Sequence, residues 1–205
     1  MSKAYLSREL ARRLGVPVQL VTFSAAGKVV EAVKAAQVDI GFVAVDPERG
    51  ADMLQTPPYV IIEGAYLVRS DSPIRSSAEM DRAGNRIAVG NASAYDLYLK
   101  RELRAATLVR AESSPVVTDL FIAQGLEVAA GARQQLQADA KRFSGVRLLD
   151  GRFKVIQQAM GLPKGRAAGA SYLAGFIEEM KSSGFVAAAL ARHGIEGAAV
   201  APPAR

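Results

Sequence analysis

The hydrophobic pattern changes period several times along the chain. Leu6, Leu10, Ala11 and Leu14 fall on one helical face, with Arg8, Glu9, Arg12 and Arg13 largely opposite. Gly15 supplies the left-handed stop that ends such a helix. Residues 16–23 then read as a strand, and Ser24 can cap a helix over 26–36 that packs Val29, Val30 and Val33. Residues 38–45 are apolar apart from Asp39, which predicts a short strand buried on both faces, as in a parallel sheet. Beyond the polar, Pro-containing connection 69–76, a linker or hinge, the pattern predicts a short helix at 77–81 and a strand at 86–89. A turn at 90–93 opens a helix over 94–103, and a strand follows at 107–110. Ser114 can cap the next helix with Pro115 at its first position, before a strand at 126–132. A strand over 154–160, a turn at 161–165, helices over 167–182 and 185–192, and a frayed tail from 197 to 205 complete the reading.

The stretch 44–68 holds this pattern together. It leaves one buried strand, makes a Pro-marked turn carrying Arg49, and passes through Thr56-Pro57-Pro58-Tyr59 into a second apolar strand. An internal echo accompanies it. Residues 29–40 resemble residues 116–128 with one insertion, and each follows a strand and a Ser-containing cap. The echo suggests two lobes of similar build; chance likeness between Ala- and Val-rich helices is the other reading.

Composition narrows the class. A chain of 205 residues suits one large domain or two small ones, and its 50% apolar content can supply a core. No stretch of about 18 apolar residues appears, so no membrane-spanning helix is indicated. The absence of cysteine excludes disulfides, thiolate ligands and a cysteine nucleophile. The first residues show no signal-peptide pattern. A net charge of +6 favours anionic partners, but the basic residues are scattered and only 6% of residues are aromatic, so a nucleic-acid surface is not expected.

Catalytic and metal motifs are scarce. His193 is the only histidine and falls at a helix end. No calcium loop, phosphate loop, dinucleotide fingerprint or nucleophile elbow occurs. No metal or cofactor is therefore expected. Glu63 and Glu127 are the carboxylates that could enter a cleft and serve an enzyme.

In order and spacing the chain resembles the amino-acid-type periplasmic solute-binding proteins of ABC importers, bacterial solute-binding family 3. The resemblance rests on the helix Ser7 to Gly15, on Val33 to Ile40, on Thr56-Pro57-Pro58-Tyr59 and on Tyr66 to Ile74. Arg86 to Tyr95 and Phe176 to Phe185 complete it. It implies an α/β, two-lobed type II periplasmic-binding-protein-like fold, each lobe a mostly parallel sheet flanked by helices and joined by a two-strand hinge. Lobe I would be residues 1–68 and 157–205, and lobe II residues 69–156. The resemblance further implies a periplasmic, non-enzymatic protein that binds a small carboxylate-bearing solute, an amino acid or organic acid, in the interlobe cleft and presents it to a membrane permease. By its distance to the Thr-Pro-Pro-Tyr motif, Arg49 matches the family arginine that grips the ligand carboxylate, a task that suits a planar guanidinium; its alternative is a surface arginine paired with Glu48 or Asp46. Asn91, Ala92 and Ser93 match the glycine-rich turn of the second lobe, where a helix N-terminus suits an anion, or else form an ordinary capped helix start. Ala92 stands where the family often has glycine. Tyr59 is either an apolar wall of the site or a core residue.

Two departures accompany the resemblance. The family has a strand ahead of the first helix, and this chain starts at that helix, so open sheet edges are expected. Partner-strand insertion, domain exchange or a rearranged sheet would cover them, and a homodimer is one such arrangement. The other departure is Arg133, near the place where amino-acid binders carry an aspartate for the ligand ammonium. It points to a carboxylate or dicarboxylate ligand, or else starts a solvated helix. The alternatives to solute import are a dehydratase or lyase of a cyclic carboxylic acid on the same fold, and a ligand-sensing or structural remnant.

Overall fold

In a computed structural model, which describes residues 2–194 and 197–204, the elements follow one another in this order. Helices α1 (Ser2–Leu14) and α2 (Ala26–Lys34) precede β1 (Gly41–Ala44), α3 (Pro47–Gly50), β2 (Met53–Gln55) and β3 (Val60–Arg69). Then come β4 (Arg86–Gly90), α4 (Ala94–Glu102), β5 (Thr107–Ala111), α5 (Val117–Ala123), β6 (Val128–Ala132), α6 (Arg133–Arg142) and β7 (Val146–Leu148). The last elements are β8 (Lys154–Pro163), α7 (Ala167–Ser182), α8 (Phe185–Arg192) and β9 (Ala198–Val200). Single 3-10 turns occupy Ser77–Glu79, where a short helix was expected, and Ser114–Val116.

Two compact units divide the chain. Unit 1 comprises the residues up to Ser24, Lys28–Ile61 and those from Gln157 onward; unit 2 comprises Ala25–Gly27 and Ile62–Ile156. Two strands belong to both, since the division falls inside β3 and inside β8. The polar stretch after β3 is a pinned loop of unit 2 rather than the crossing. Ile74 is buried, and the Arg147 guanidinium donates to the carbonyls of Ile74 (2.6 Å) and Ser72 (3.1 Å).

In unit 1, β1 and β2 both pair antiparallel with β8, from Gly41↔Gly161 to Ala44↔Gln158 and from Met53↔Pro163 to Gln55↔Gly161. The apolar run of β1 is buried as expected, but its ladder is antiparallel. Residues 161–163, expected as a turn, continue β8 because the three-residue β2 pairs with them. Val33, Val43 and Met53 form a small core flanked by Val29, Val30 and Val38. Each such side chain contributes about 1.5–3 kcal/mol through burial. A Cβ on Gly41 would stand 2.5 Å from a Val33 methyl, so α2 rests directly on the β1 backbone. Thr56 then stitches the exit from β2: its Oγ1 accepts from the Met160 amide (3.1 Å) and donates to the Pro57 carbonyl (2.8 Å).

Residues 16–23 depart most from expectation. Among the described residues, no backbone hydrogen bond involves 17–23. Leu14, Val16, Val18, Leu20 and Val21 are 42–52% exposed. The segment has the composition of a strand and no ladder, because a strand exists only where a second backbone satisfies it. The opposite correction applies to the tail. Residues 198–200 form β9, Ala201 is buried, and its amide donates to the Tyr59 carbonyl (3.1 Å). The Lys181 ammonium donates to the Pro202 carbonyl at 2.8 Å, which fastens the segment further.

Unit 2 places β3, β6, β4 and β5 side by side. Strand β3 runs antiparallel to β6 and β7, whereas β4 runs parallel to both β5 and β6. Leu67, Phe121, Leu126 and Leu136 fill its core against the small residues Ala65, Ala88 and Ala129.

Helix α2 ends with the Gln37 amide bonded to the Ala32 carbonyl (2.9 Å) and the Ala36 amide to Val33 (3.0 Å), a Schellman arrangement. Its left-handed residue is Ala36, at φ 54°, a conformation that costs a residue bearing a Cβ about 1 kcal/mol. Ala36 is exposed, so Ala36→Gly should raise stability by about 0.5–1 kcal/mol. A urea midpoint that moves upward with an unchanged slope would verify this.

Candidate functional site

Unit 2 has a topological switch point. From β4 the chain passes through α4 to β5 on one side; from β6 it passes through α6 to β7, beyond β3 on the other side. Strands β4 and β6 are neighbours, so their carboxyl ends flank the crevice where open α/β sheets bind ligands. The turn 91–93 opens from the end of β4, and Arg133 follows the end of β6. Both were candidate ligand residues, and topology brings them to one edge.

Ser93 caps α4. Its Oγ accepts from the Asp96 amide (3.1 Å), while Asp96 Oδ2 accepts from the Ala92 amide (2.9 Å). Asp96 is only 4% exposed, and its carboxylate also takes Arg110 Nε at 3.0 Å. The remaining turn amides are used as well: Asn91 donates to Ala111 (2.9 Å) and Ser93 to Gly90 (3.1 Å). The backbone donors expected to face an anion at 91–93 are thus spent inside the protein. The turn retains its Ser93 hydroxyl hydrogen and the Asn91 side-chain amide. Ala92 adopts φ 53°, the left-handed conformation anticipated where the family often has glycine. A Cβ on Gly90 would stand 2.8 Å from the Ser114 amide nitrogen, so the end of β4 lies tight against the 3-10 turn.

Arg133 does not begin a merely solvated helix. Its Nε donates to Glu63 Oε2 at 2.8 Å and its Nη2 to the Gly151 carbonyl. Arg152 Nη1 meets the other Glu63 oxygen at 2.8 Å. The Arg152 hydrogen bond, joined by that of Arg133, holds the Glu63 carboxyl below its usual pKa. Phe153 fixes the loop behind Arg152: it stacks on Tyr66 with 4.4 Å between centroids and meets Tyr95 edge-on. Gly64 leaves room for that ring, since a Cβ there would lie 2.9 Å from it.

Glu127, the other candidate carboxylate, stands at the opposite end of the sheet. It accepts the Arg86 amide (2.9 Å) and pairs with the Arg86 guanidinium (2.8 Å) at the amino end of β4. Glu63 and Glu127 therefore do not form an acid–base pair.

In unit 1, Asp46 caps the short helix α3 by accepting the Glu48 amide (3.0 Å), with Pro47 at its first position. The sequence predicts only a Pro-marked turn here, and the structure closes it into a four-residue helix. Arg49 ends the turn at 5% exposure. Burial lowers its pKa, and the nearby charges of Asp46 and Glu48 push it back up. Tyr59 is 1% exposed and edge-on to Phe42, a core position. His193 ends α8 with its ring 5.7 Å from that of Tyr5.

A model of the bacterial extracellular solute-binding proteins, family 3, matches residues 3–195. The chain belongs to this family. No curated protein matches it by sequence. Among solved structures it is similar to the solute receptor for L-cysteine of Neisseria gonorrhoeae, with a TM-score of 0.83 and 21% identity over 98% of this chain and 86% of that one. It is also similar to a putative ABC-transporter binding component from Wolinella succinogenes complexed with lysine, with a TM-score of 0.81 and 16% identity over 93% and 84% of the two chains. A third similar structure is an ancestral amino-acid-binding protein described as a precursor of cyclohexadienyl dehydratase, with a TM-score of 0.79 and 19% identity over 93% and 84%. These likenesses give the solute-binding protein the two-lobed periplasmic-binding fold.

Asp96, Arg110, Arg152 and Phe153 were not singled out in the sequence. Ser93-x-x-Asp96 carries a capping pattern that could have flagged the first of them; the other three depend on non-local packing. Asp96→Ala would strip the Ala92 amide and Arg110 of their shared acceptor. Stability should fall by about 1–3 kcal/mol in denaturant unfolding, and an unchanged midpoint would show the pair to be idle.

Proposed function

We propose that the protein binds a small carboxylate-bearing solute, an amino acid or organic acid, without catalysis, and delivers it to the membrane permease of an ABC importer from the periplasm. The lobes proposed are residues 1–68 with 157–205, and residues 69–156, with the ligand meeting both. Arg49 grips the carboxylate, and Ser93 and Asn91 of the turn containing Ala92 contribute hydrogen bonds from the second lobe. One observation carries the reading: Arg49 is a guanidinium at 5% exposure on a four-residue turn. A planar carboxylate matches the donor fork of such a guanidinium. The similar structures from Neisseria and Wolinella, one a receptor for L-cysteine and the other complexed with lysine, support a solute of amino-acid size. A ligand drives closure only if it binds the closed state better than the open one.

A dehydratase reading has the ancestral dehydratase precursor in its favour. The separation of Glu63 from Glu127 counts against it. A thermal-shift screen of amino acids, dicarboxylates and aromatic acids tests the binding role. Arg49→Ala should weaken binding of any hit at least about tenfold, the cost of losing a hydrogen bond to a charged group. Arg49→Lys, which keeps the charge but not the fork, serves if the alanine variant fails to fold. A ligand whose shift survives both changes removes Arg49 from the site, and turnover of a cyclic acid would replace binding with catalysis.

We also propose that residues 16–23 pair with the same residues of a second copy. The stretch between Arg13 and Lys28 carries no charge, so an antiparallel self-pairing brings no like charges together. The expected species in solution has twice the mass of one chain, and Val18→Lys should return it to one; a wild-type monomer at high concentration rules this pairing out.

A further inference from the structure

We propose that the solute carries a second anionic group, a short dicarboxylate being the chemical class, and that Arg133 and Arg152 bind that group at the switch point of unit 2. The proposal rests on the carboxylate-binding reading above and deepens it.

The argument begins with a charge imbalance. Two guanidinium groups share one carboxylate, Glu63, and each takes a different oxygen at 2.8 Å. One positive charge therefore remains uncompensated inside the cluster. The hydrogen-bond inventory is unbalanced in the same sense. A guanidinium offers five N–H groups, so the pair offers about ten. Among the described residues, their acceptors are the two Glu63 oxygens and the Gly151 carbonyl. Glu63 has one guanidinium on each oxygen and is already neutralised, so a ligand ammonium gains little there. A planar oxyanion instead finds free donors and net positive charge.

Position supports the same conclusion. Arg133 is the first residue of α6, whose N-cap Ala132 offers no side-chain acceptor and whose first turn holds no acidic residue. The positive end of a ten-residue helix dipole therefore adds to the guanidinium field. Asp96, a buried carboxylate near this edge, is covered by Arg110 and the Ala92 amide, so its repulsion is damped. Arg133 is held, with 18% of its side chain exposed, whereas Arg152 is 55% exposed. The arrangement is an anchored arginine beside one that can reorient.

The experiment compares succinate, glutarate and adipate with butyrate, valerate and hexanoate by calorimetry on the full chain. It is repeated on Arg152→Gln, Arg133→Gln and Arg49→Lys. The expected result is a dicarboxylate preference of at least about tenfold, with the ratio of the two affinities falling toward one in Arg152→Gln and Arg133→Gln. Equal affinity for both series, with binding still sensitive to Arg49, overturns the second anion site and leaves the carboxylate reading standing. A dicarboxylate preference that survives both substitutions overturns the assignment to Arg133 and Arg152. Absence of binding by either series, in a protein shown to be folded, overturns the underlying reading together with this one.

Discussion

The parallel pairing of β4 with β6 is the constraint on which the chemistry of unit 2 depends. Ile87 lies opposite Val128 and Ala88 opposite Ala129, both pairs buried. A parallel pair cannot be closed by a tight turn, so the chain crosses through β5 and α5 to reach β6. The crossing leaves β4 and β6 adjacent while their outgoing helices diverge, and a crevice opens at their carboxyl ends. Asp96, Arg110, Glu63, Arg133 and Arg152 gather there, whereas Arg86, Glu127 and Arg147 do not. Were the order of β5 and β6 exchanged, Ser93 and Arg133 would no longer share an edge, though neither residue had changed.

At that edge the protein compensates charge locally, with Asp96 buried and Glu63 partly exposed. Asp96 is compensated by Arg110 and two roles in the α4 cap; Glu63 is compensated by two arginines. In unit 1, Arg49 feels Asp46 and Glu48 from the same turn. Removing a charge from water costs several kcal/mol unless it is paired and hydrogen-bonded, which is why each buried charge has an opposite charge close by. The consequence for function lies in the balance left over. The Asp96 cluster closes on itself, and the turn amides of 91–93 are consumed with it. The Glu63 cluster does not close, since it ends with a guanidinium in excess.

Much of the fold was legible because its signals are local. Helices α1, α4, α7 and α8 follow from apolar periodicity and from stops such as Gly15 and Ser183-Gly184. The cap at Ser93 is a one-turn interaction; the cap at Asp46 is equally local but was not read. What could not be read depends on partners distant in sequence. Met53–Gln55 is a strand because β8 runs past it, and residues 161–163 are strand rather than turn for the same reason. Tyr59, Arg133 and Glu63 show the limit at single residues. Composition allowed Tyr59 to be wall or core, and packing against Phe42 made it core. Arg133 could face water or ligand, and its actual first partner, Glu63, lies on another strand.

Residues 16–23 carry that lesson furthest. Val16, Val18, Leu20 and Val21 have the side chains of a buried strand, and nothing in their local chemistry explains their exposure. β-propensity measures fit to a half-buried pleated surface rather than a backbone preference. A segment can therefore satisfy it and still hold no ladder until a neighbour arrives. Burial of these side chains is worth about 25 cal/mol per Å² of apolar area. Among the described residues, the amides of 18–23 and the carbonyls of 17–23 make no backbone hydrogen bond. Both terms act in the same direction. An exposed apolar segment with an unpaired backbone is a site that other strands will find.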